Sequence, residues 1–333
     1  MRQLGWVGLA LLALAASIVT AVTFGAADLS VTEVWGSIAS HLGIGHSDLS
    51  LIRDGIVWQL RLPRVLTAAA VGAGLALSGV VMQALTRNPL ADPYLLGLSS
   101  GASLGAVLVL LAGLSVLLPV AAFVGAMAAL AATLALARSL GAITPTRTVL
   151  AGLAVSSFVG SLTSLVIFSE SHGDSYRQIL NWLLGSLGGA DWSSAAISWG
   201  AFAVVGLPLL ASGRILDAFA FGDSAAAGLG VPVSAARWVL LGGTALLTGS
   251  MVSVSGSIGF VGLVLPNAVR LLVGSRHRLL LPLSAVIGAV FMIWVDTGAR
   301  TLFEPRELPV GIITVLVGAP VFVAVLIRNR GRA

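Results

Sequence analysis

Apolar runs of about 20 residues recur from one end of the chain to the other, and the charges gather in the short segments between them. A helix of that length crosses a hydrocarbon core of ~30 Å. Hydropathy and helix breakers predict ten spans, at roughly 4–25, 62–84, 94–113, 115–137, 147–169, 193–213, 236–254, 257–273, 279–300 and 308–327. The eighth is short and rich in Gly. The third and fourth are nearly continuous, broken around Leu118-Pro119. The first follows Arg2 and is longer than the usual 7–15 apolar residues of a signal peptide, so it reads as a span. The pattern describes an all-α polytopic membrane protein, one transmembrane domain over residues 1–333, with both termini on the same side.

Composition agrees. The chain is 57% hydrophobic and 9% charged, with a mean hydropathy of +1.03, too few charges to cover a soluble domain. Its 40 Gly suit close helix packing. In GLSSGASLG, Gly97, Gly101 and Gly105 recur every fourth residue and predict a helix–helix contact face. Cys is absent, which excludes disulfides, thiolate catalysis and Cys-based metal sites. Lys is absent too, and a Walker A loop needs its Lys to reach the phosphates, so this chain carries no such nucleotide site.

Arg placement sets the expected orientation. With both termini inside, twelve Arg fall in inner segments and six in outer ones, namely Arg53, Arg61, Arg64, Arg177, Arg300 and Arg306. Arg61 and Arg64 stand one turn apart at the mouth of the second span. Interfacial snorkelling, with the long side chains reaching the headgroups, is one reading of them. Asp296 and Arg300 are four apart, acid first, the favourable order for an ion pair.

Four inter-span segments hold further polar or breaking residues. Residues 83–102, QALTRNPLADPYLLGLSSGA, stop a helix at Pro89 and Pro93, and Asn88 and Asp92 can cap nearby backbone. Residues 214–233 predict two short inner helices broken at Gly222 and Gly230, with apolar faces from Leu216, Phe219 and Leu229. Positions 216–236 lack basic residues, which favours docking on a partner over lying on a membrane. Residues 174–187 predict a short outer helix with Ile179, Trp182 and Leu183 on one face. Residues 255–272 join a Gly-rich half-span to Pro266, Asn267 and Arg270, a pattern seen beside transporter cavities.

Taken together, RLPR (61–64), SGVVMQ (78–83), NPLADPYLLG (88–97), NWLLGSLGGADW (181–192), LGVPV (229–233), GFVGLVLPNAVR (259–270) and ELPVGIITVLVGAPVF (307–322) resemble one family. It is the FecCD/BtuC-like permeases of ATP-driven importers for iron–siderophores, haem and vitamin B12. The pieces follow the family's order and cover almost the whole chain. Asn267 departs from the pattern, since the family commonly shows His after that Pro.

The resemblance implies a BtuC-like, type II ABC importer architecture of ten transmembrane helices in the bacterial cytoplasmic membrane, with cytoplasmic termini. It implies a second permease subunit, as a homodimer, and two cytoplasmic ATPase subunits that bind the ATP and Mg. A periplasmic or lipoprotein substrate-binding protein completes the assembly. Arg61, Arg64 and Arg300 would meet acids of that binding protein. Asn88, Leu90, Thr144 and Thr146 would form the cytoplasmic gate. Leu216, Asp217, Phe219, Phe221, Gly222, Leu229 and Gly230 would couple to the ATPase. Spans five and ten would line the pathway, with Ser156, Ser157, Ser161 and Ser164 facing a wet cavity or bonding a neighbouring helix. The cargo expected is a ferric siderophore, with haem or cobalamin as alternatives. The chain itself holds neither catalytic residue, cofactor nor metal.

Two other classes carry less. An ion-coupled transporter needs an ionisable site near the bilayer centre, and no acid stands deep in a span. A membrane enzyme needs a catalytic cluster, and His41, His46, His172 and His277 sit in different loops, with His41 and His46 close enough in sequence to suggest a metal pair.

Overall fold

The computed structural model describes residues 2–25, 27, 29–44, 46, 49–141, 144–170, 174–303 and 306–330, and these hold helices and connections with no strand. His172 lies outside the described residues. Seven helices are long and apolar enough to cross a membrane: α1 (Arg2–Thr23), α3 (Leu51–Thr86), α5 (Leu118–Ser139), α6 (Pro145–Glu170), α8 (Trp192–Ala211), α11 (Val233–Ser255) and α13 (His277–Thr301). Three shorter apolar helices, α4 (Leu98–Leu111), α12 (Val261–Val273) and α14 (Val310–Arg330), bring the total to the ten expected. The connections hold α2 (Val31–His41), α7 (Asp174–Leu183), α9 (Gly213–Phe219) and α10 (Asp223–Gly228).

The helix α3 runs through the middle of the bundle. It is apolar all round, as a helix without a solvent face must be, and nearly every residue from Leu62 to Leu85 is buried. Its main neighbour is α13, reached through Gly72 and Gly288, where a Cβ on either would strike the other helix's backbone. The helices α4 and α5 meet in the same way at Gly101, Gly105, Gly125 and Ala121, so two of the three predicted contact glycines do pack. Gly97 does not belong to that close backbone contact. At φ +84 it is the left-handed break between the Pro93–Leu96 turn and α4.

Several elements depart from the predicted pattern for a local reason. The second span begins eleven residues early, at Leu51, and a π-helical stretch at Ile56–Arg61 precedes Pro63. In α8 another such stretch, Phe202–Gly206, precedes Pro208. A proline removes a backbone donor and presses on the carbonyl four residues back, and the wider turn absorbs both. The eighth span starts late, at Val261, because Gly256 and Phe260 adopt φ +67 and +70 and break the helix first. The unpredicted helix α2 begins with a capping box. Ser30 Oγ accepts from the Glu33 backbone at 3.3 Å, and Glu33 Oε2 accepts from the Ser30 backbone at 2.8 Å.

The helices define two ends. Around Arg64 gather the C-termini of α1 and α13 and the start of α3. Around Asp217 gather α9, α10, the end of α3 and the start of α13.

Candidate functional site

At the Arg64 end, three arginines from two helices converge on two acids. Arg64 Nε donates to both oxygens of Asp296 at 3.0 Å, Nη2 lies 2.9 Å from Oδ1, and Nη1 donates to Glu307 at 2.8 Å. Asp296 is 1% exposed, and the side chain of Glu307 is 50% exposed. Arg61 is buried and donates to the carbonyls of Thr23 and Ala27 at 3.2 and 2.7 Å, with no carboxylate on it among the described residues. Arg300 is buried and donates to Ala21 O at 2.7 Å. Its Nε stands 3.8 Å from Asp296, so the acid belongs mainly to Arg64, not to the in-helix partner that spacing suggested. Arg64 reaches Asp296 side-on from the neighbouring helix with its guanidinium edge, a geometry that a residue one turn along the same helix does not match. Among the described residues three cations stand against two anions, and Arg61, Arg64, Arg300 and Glu307 line a cavity of about 300 Å³.

Gly188 and Glu307 also border a larger cavity, about 620 Å³, lined by polar groups that include Gln178, Asn181, Asp191 and Ser253. Near its Ser186, four chain segments meet. Ser186 N donates to Ser255 O at 2.9 Å, Gly311 N to Gly185 O at 3.2 Å, and Ser99 and Ser257 share a bond of 2.6 Å. Tyr94 Oη donates to Ile258 O at 3.0 Å. Thus the turn after α7, the segment joining α11 to α12, and the starts of α4 and α14 are tied together. The predicted outer helix at 174–187 is helical through Leu183, and it turns inward with Ile179 and Trp182 buried.

At the Asp217 end, the turn after α3 is bolted to α12. Asn88 Oδ1 accepts from Leu90 N at 2.9 Å, which fixes the turn. Pro89 O and Leu263 O both accept from Asn267 Nδ2 at 2.8 Å. Arg270 donates to Asn267 Oδ1 at 2.7 Å and to Gln83 Oε1 at 3.2 Å. Asn267 therefore does a neutral job, giving two hydrogens and taking one. Leu90 is 45% exposed. Thr144 and Thr146 are exposed at the start of α6, where Thr144 O accepts from Thr148 N at 3.0 Å.

The two short helices form as expected, with breaks at Gly222 (φ +96) and Gly230 (φ +82). Leu216 and Phe219 are buried, whereas Phe221 is 78% and Leu229 69% exposed. Three ties connect this segment to the spans. Asp217 Oδ1 accepts from the backbone N of His277 at 2.9 Å and faces its ring nitrogen at 2.8 Å, which caps α13. Arg237 of α11 donates to Asp223 at 2.8 and 2.9 Å and lies over the Phe219 ring. Arg87, at the end of α3, lays its guanidinium against Gly222.

On α6, Ser157, Ser161 and Ser164 are exposed and Ser156 is half-buried. Ser161 and Ser164 donate to carbonyls of their own helix at 2.9 and 3.0 Å. Leu153, Phe158 and Leu165 are exposed on the same helix. His41 pairs with Asp54 at 2.8 Å and stacks on Trp58, and no group of three metal-ligating side chains occurs among the described residues. Sequence reasoning passed over Gln83 as a partner of Arg270, Tyr94 and the Asp223–Arg237 pair. The available signal was a polar side chain inside or beside an apolar span, which burial obliges to find a partner.

A bundle of ten apolar helices, with polar cavities at one end and paired short helices at the other, defines a polytopic membrane permease. The chain belongs to the FecCD transport family, whose model matches residues 12–328. It is 43% identical to the uncharacterized ABC transporter permease protein YvrB of Bacillus subtilis (strain 168), over 95% of this chain and 91% of that one. It is 40% identical to the vitamin B12 import system permease protein BtuC of Vibrio cholerae, over 90% and 89%. It is 42% identical to the hemin transport system permease protein HmuU of Yersinia pestis, over 82% and 84%. Among solved structures, an inward-facing ABC transporter assigned to the metal-chelate type superposes with a TM-score of 0.84 at 32% identity, covering 97% of this chain and 98% of that one.

Proposed function

We propose that this chain is the permease subunit of an ATP-driven importer of a bulky metal chelate. It works as a pair of identical copies, with the Asp217 end and both termini in the cytoplasm. Two separate ATPase subunits bind ATP and Mg there, and a binding protein delivers the cargo at the Arg64 end. The observation that carries the reading is segment 213–230. Two short helices are anchored from beneath by Leu216 and Phe219, tied to three spans, and present Phe221 and Leu229 outward, on a chain without a P-loop Lys. Such a surface suits an apolar groove on a partner.

In the proposed cycle, closure of the ATPases moves α9 and α10. The Asp217–His277, Asp223–Arg237 and Gly222–Arg87 contacts pass that movement to α13, α11 and the end of α3. The turn at Asn88 and Leu90, held by Asn267, then opens or shuts with Thr144 and Thr146. The exposed face of α6, with Ser157, Ser161 and Ser164, lines the passage between the two copies. Docking uses the surplus positive charge of the Arg61–Arg64–Arg300 cluster, where an incoming carboxylate replaces or joins Glu307. Ferric siderophore, haem and cobalamin share this chemistry of a large chelate carried unchanged, and the binding protein sets the choice.

The test is reconstitution in liposomes with the ATPase and binding protein encoded beside it. Uptake should require ATP and fail with Phe221→Asp. Uphill accumulation by this chain alone would overturn the reading in favour of an ion-coupled carrier, and chemical turnover of the cargo would favour an enzyme.

A further inference from the structure

Away from both cavities at the Arg64 end, a third cavity of about 590 Å³ opens between the end of α5 and the start of α11. Five residues of α11 line it, and four of them, Ser234, Arg237, Trp238 and Leu241, stand at positions i, i+3, i+4 and i+7 on a single face of the helix. Arg138, in the last turn of α5, closes the opposite side with Gly141. Among the described residues no acid lines the cavity.

Three features point to an anion. Two guanidiniums face one space. Arg237 gives one edge to Asp223, but its buried Nε has no hydrogen-bond partner. The helix α11 starts at Pro232 with no side-chain cap, which leaves its first N–H groups to be satisfied from outside.

The flanks decide what carries the anion. Trp238, which lines the cavity, is 41% exposed, and Val239 beside it on α11 is 72% exposed. On a polytopic membrane protein such apolar residues face lipid, and Trp favours headgroup depth. A basic pocket between membrane helices that opens onto an apolar surface fits a phospholipid phosphate better than a free ion.

We propose that this cavity is a binding site for the phosphate of an anionic phospholipid, held by Arg138, Arg237, Ser234 and the start of α11, with the acyl chains lying over Trp238 and Val239. The site stands independently of the cargo and of the partners inferred above. Because Arg237 also holds Asp223 of α10, a bound lipid shares a guanidinium with the segment that carries Phe221 and Leu229.

The experiment is native mass spectrometry of the full-length chain in neutral detergent, with phosphatidylglycerol, phosphatidylcholine or inorganic phosphate added. Phosphatidylglycerol should be retained over phosphatidylcholine. Arg138→Gln, which breaks no ion pair among the described residues, should weaken that retention about tenfold, the scale of one charge-assisted bond. Arg237→Lys keeps a cation for Asp223 but loses the fork, and should weaken retention while the thermal midpoint holds. Equal retention of the two lipids, no loss in Arg138→Gln, or binding of inorganic phosphate without lipid preference would each overturn the proposal.

Discussion

The Arg64–Asp296 pair permits a quantitative test of how the helix core is held. Asp296 is 1% exposed and takes three contacts from Arg64 at 2.9–3.0 Å. Replacing Arg64 by Met leaves that carboxylate stranded, which costs about 3–5 kcal/mol. Arg300 Nε, at 3.8 Å, is near enough to swing in, so the lower part of that range is expected. Glu307 is half-exposed, and its contact with Arg64 is worth under about 1 kcal/mol. Removing both partners, as Arg64→Met with Asp296→Leu, exchanges a buried pair for apolar packing and should return to within about 1 kcal/mol of the parent. The assay is SDS-induced unfolding of the purified chain in detergent micelles, followed by Trp fluorescence, on the parent, each single variant and the double variant. The pair should show a coupling of about 2 kcal/mol or more, with Glu307→Gln nearly silent. If Arg64→Met cost less than Glu307→Gln, or if the two changes simply added, the buried pair would not be the organising contact.

Asn267→Leu strands Pro89 O and one edge of Arg270. It should cost about 1–3 kcal/mol and raise ATP hydrolysis without cargo in the reconstituted assembly, measured as phosphate release. Asp92, half-buried beside the Tyr94 backbone N–H, has its carboxyl pushed up to about 6 by burial, against an ordinary 3.8. The fold favours the protonated form, so this group's contribution to stability rises as pH falls from about 6 toward 3.8 and is least above pH 6. Asp92→Asn keeps the acceptor and should flatten that part of a stability–pH curve. Arg61→Gln removes a cation that pairs with no acid among the described residues and should weaken binding-protein docking about tenfold at low salt, read by surface plasmon resonance. Unchanged affinity would remove Arg61 from the docking surface. Single Cys residues at Val116 and Phe221, 86% and 78% exposed in a chain without native Cys, should label with an impermeant maleimide from opposite faces of the membrane.

The ten spans were legible because a run of apolar residues long enough to cross a bilayer has few other uses in a chain this poor in charge. Their ends were less so. Nothing in hydropathy marks a π-turn, although Pro63 and Pro208 both sit two residues beyond one, and a proline well inside an apolar run is the clue to look for. The half-length α12 was announced by GSIGF, where glycine permits the left-handed turn that separates it from α11. The helix α2 was written in SVTE and went unread because its apolar content is too low to suggest a span. The breaks at Gly222 and Gly230 were readable for the opposite reason, since each glycine interrupts an otherwise helical pattern and each takes positive φ.

Partners across the bundle could not be read from spacing, and the arginines at the Arg64 end show why this matters for orientation. Counting by loop places six Arg outside against twelve inside. Arg61, Arg64 and Arg300 are buried among backbone carbonyls and carboxylates, so they are not loop charges of the kind that topology weighs. Setting those three aside leaves 6 − 3, or three, on that side: Arg53, Arg177 and Arg306. The same standard applied to the other side removes Arg237, held by Asp223, and Arg270, held by Asn267 and Gln83, leaving 12 − 2, or ten. The bias grows from twofold to about threefold once the arginines held inside the bundle are set aside, which supports the proposed orientation with the Asp217 end in the cytoplasm. The residues that weakened the sequence argument were arginines whose charges the fold uses internally.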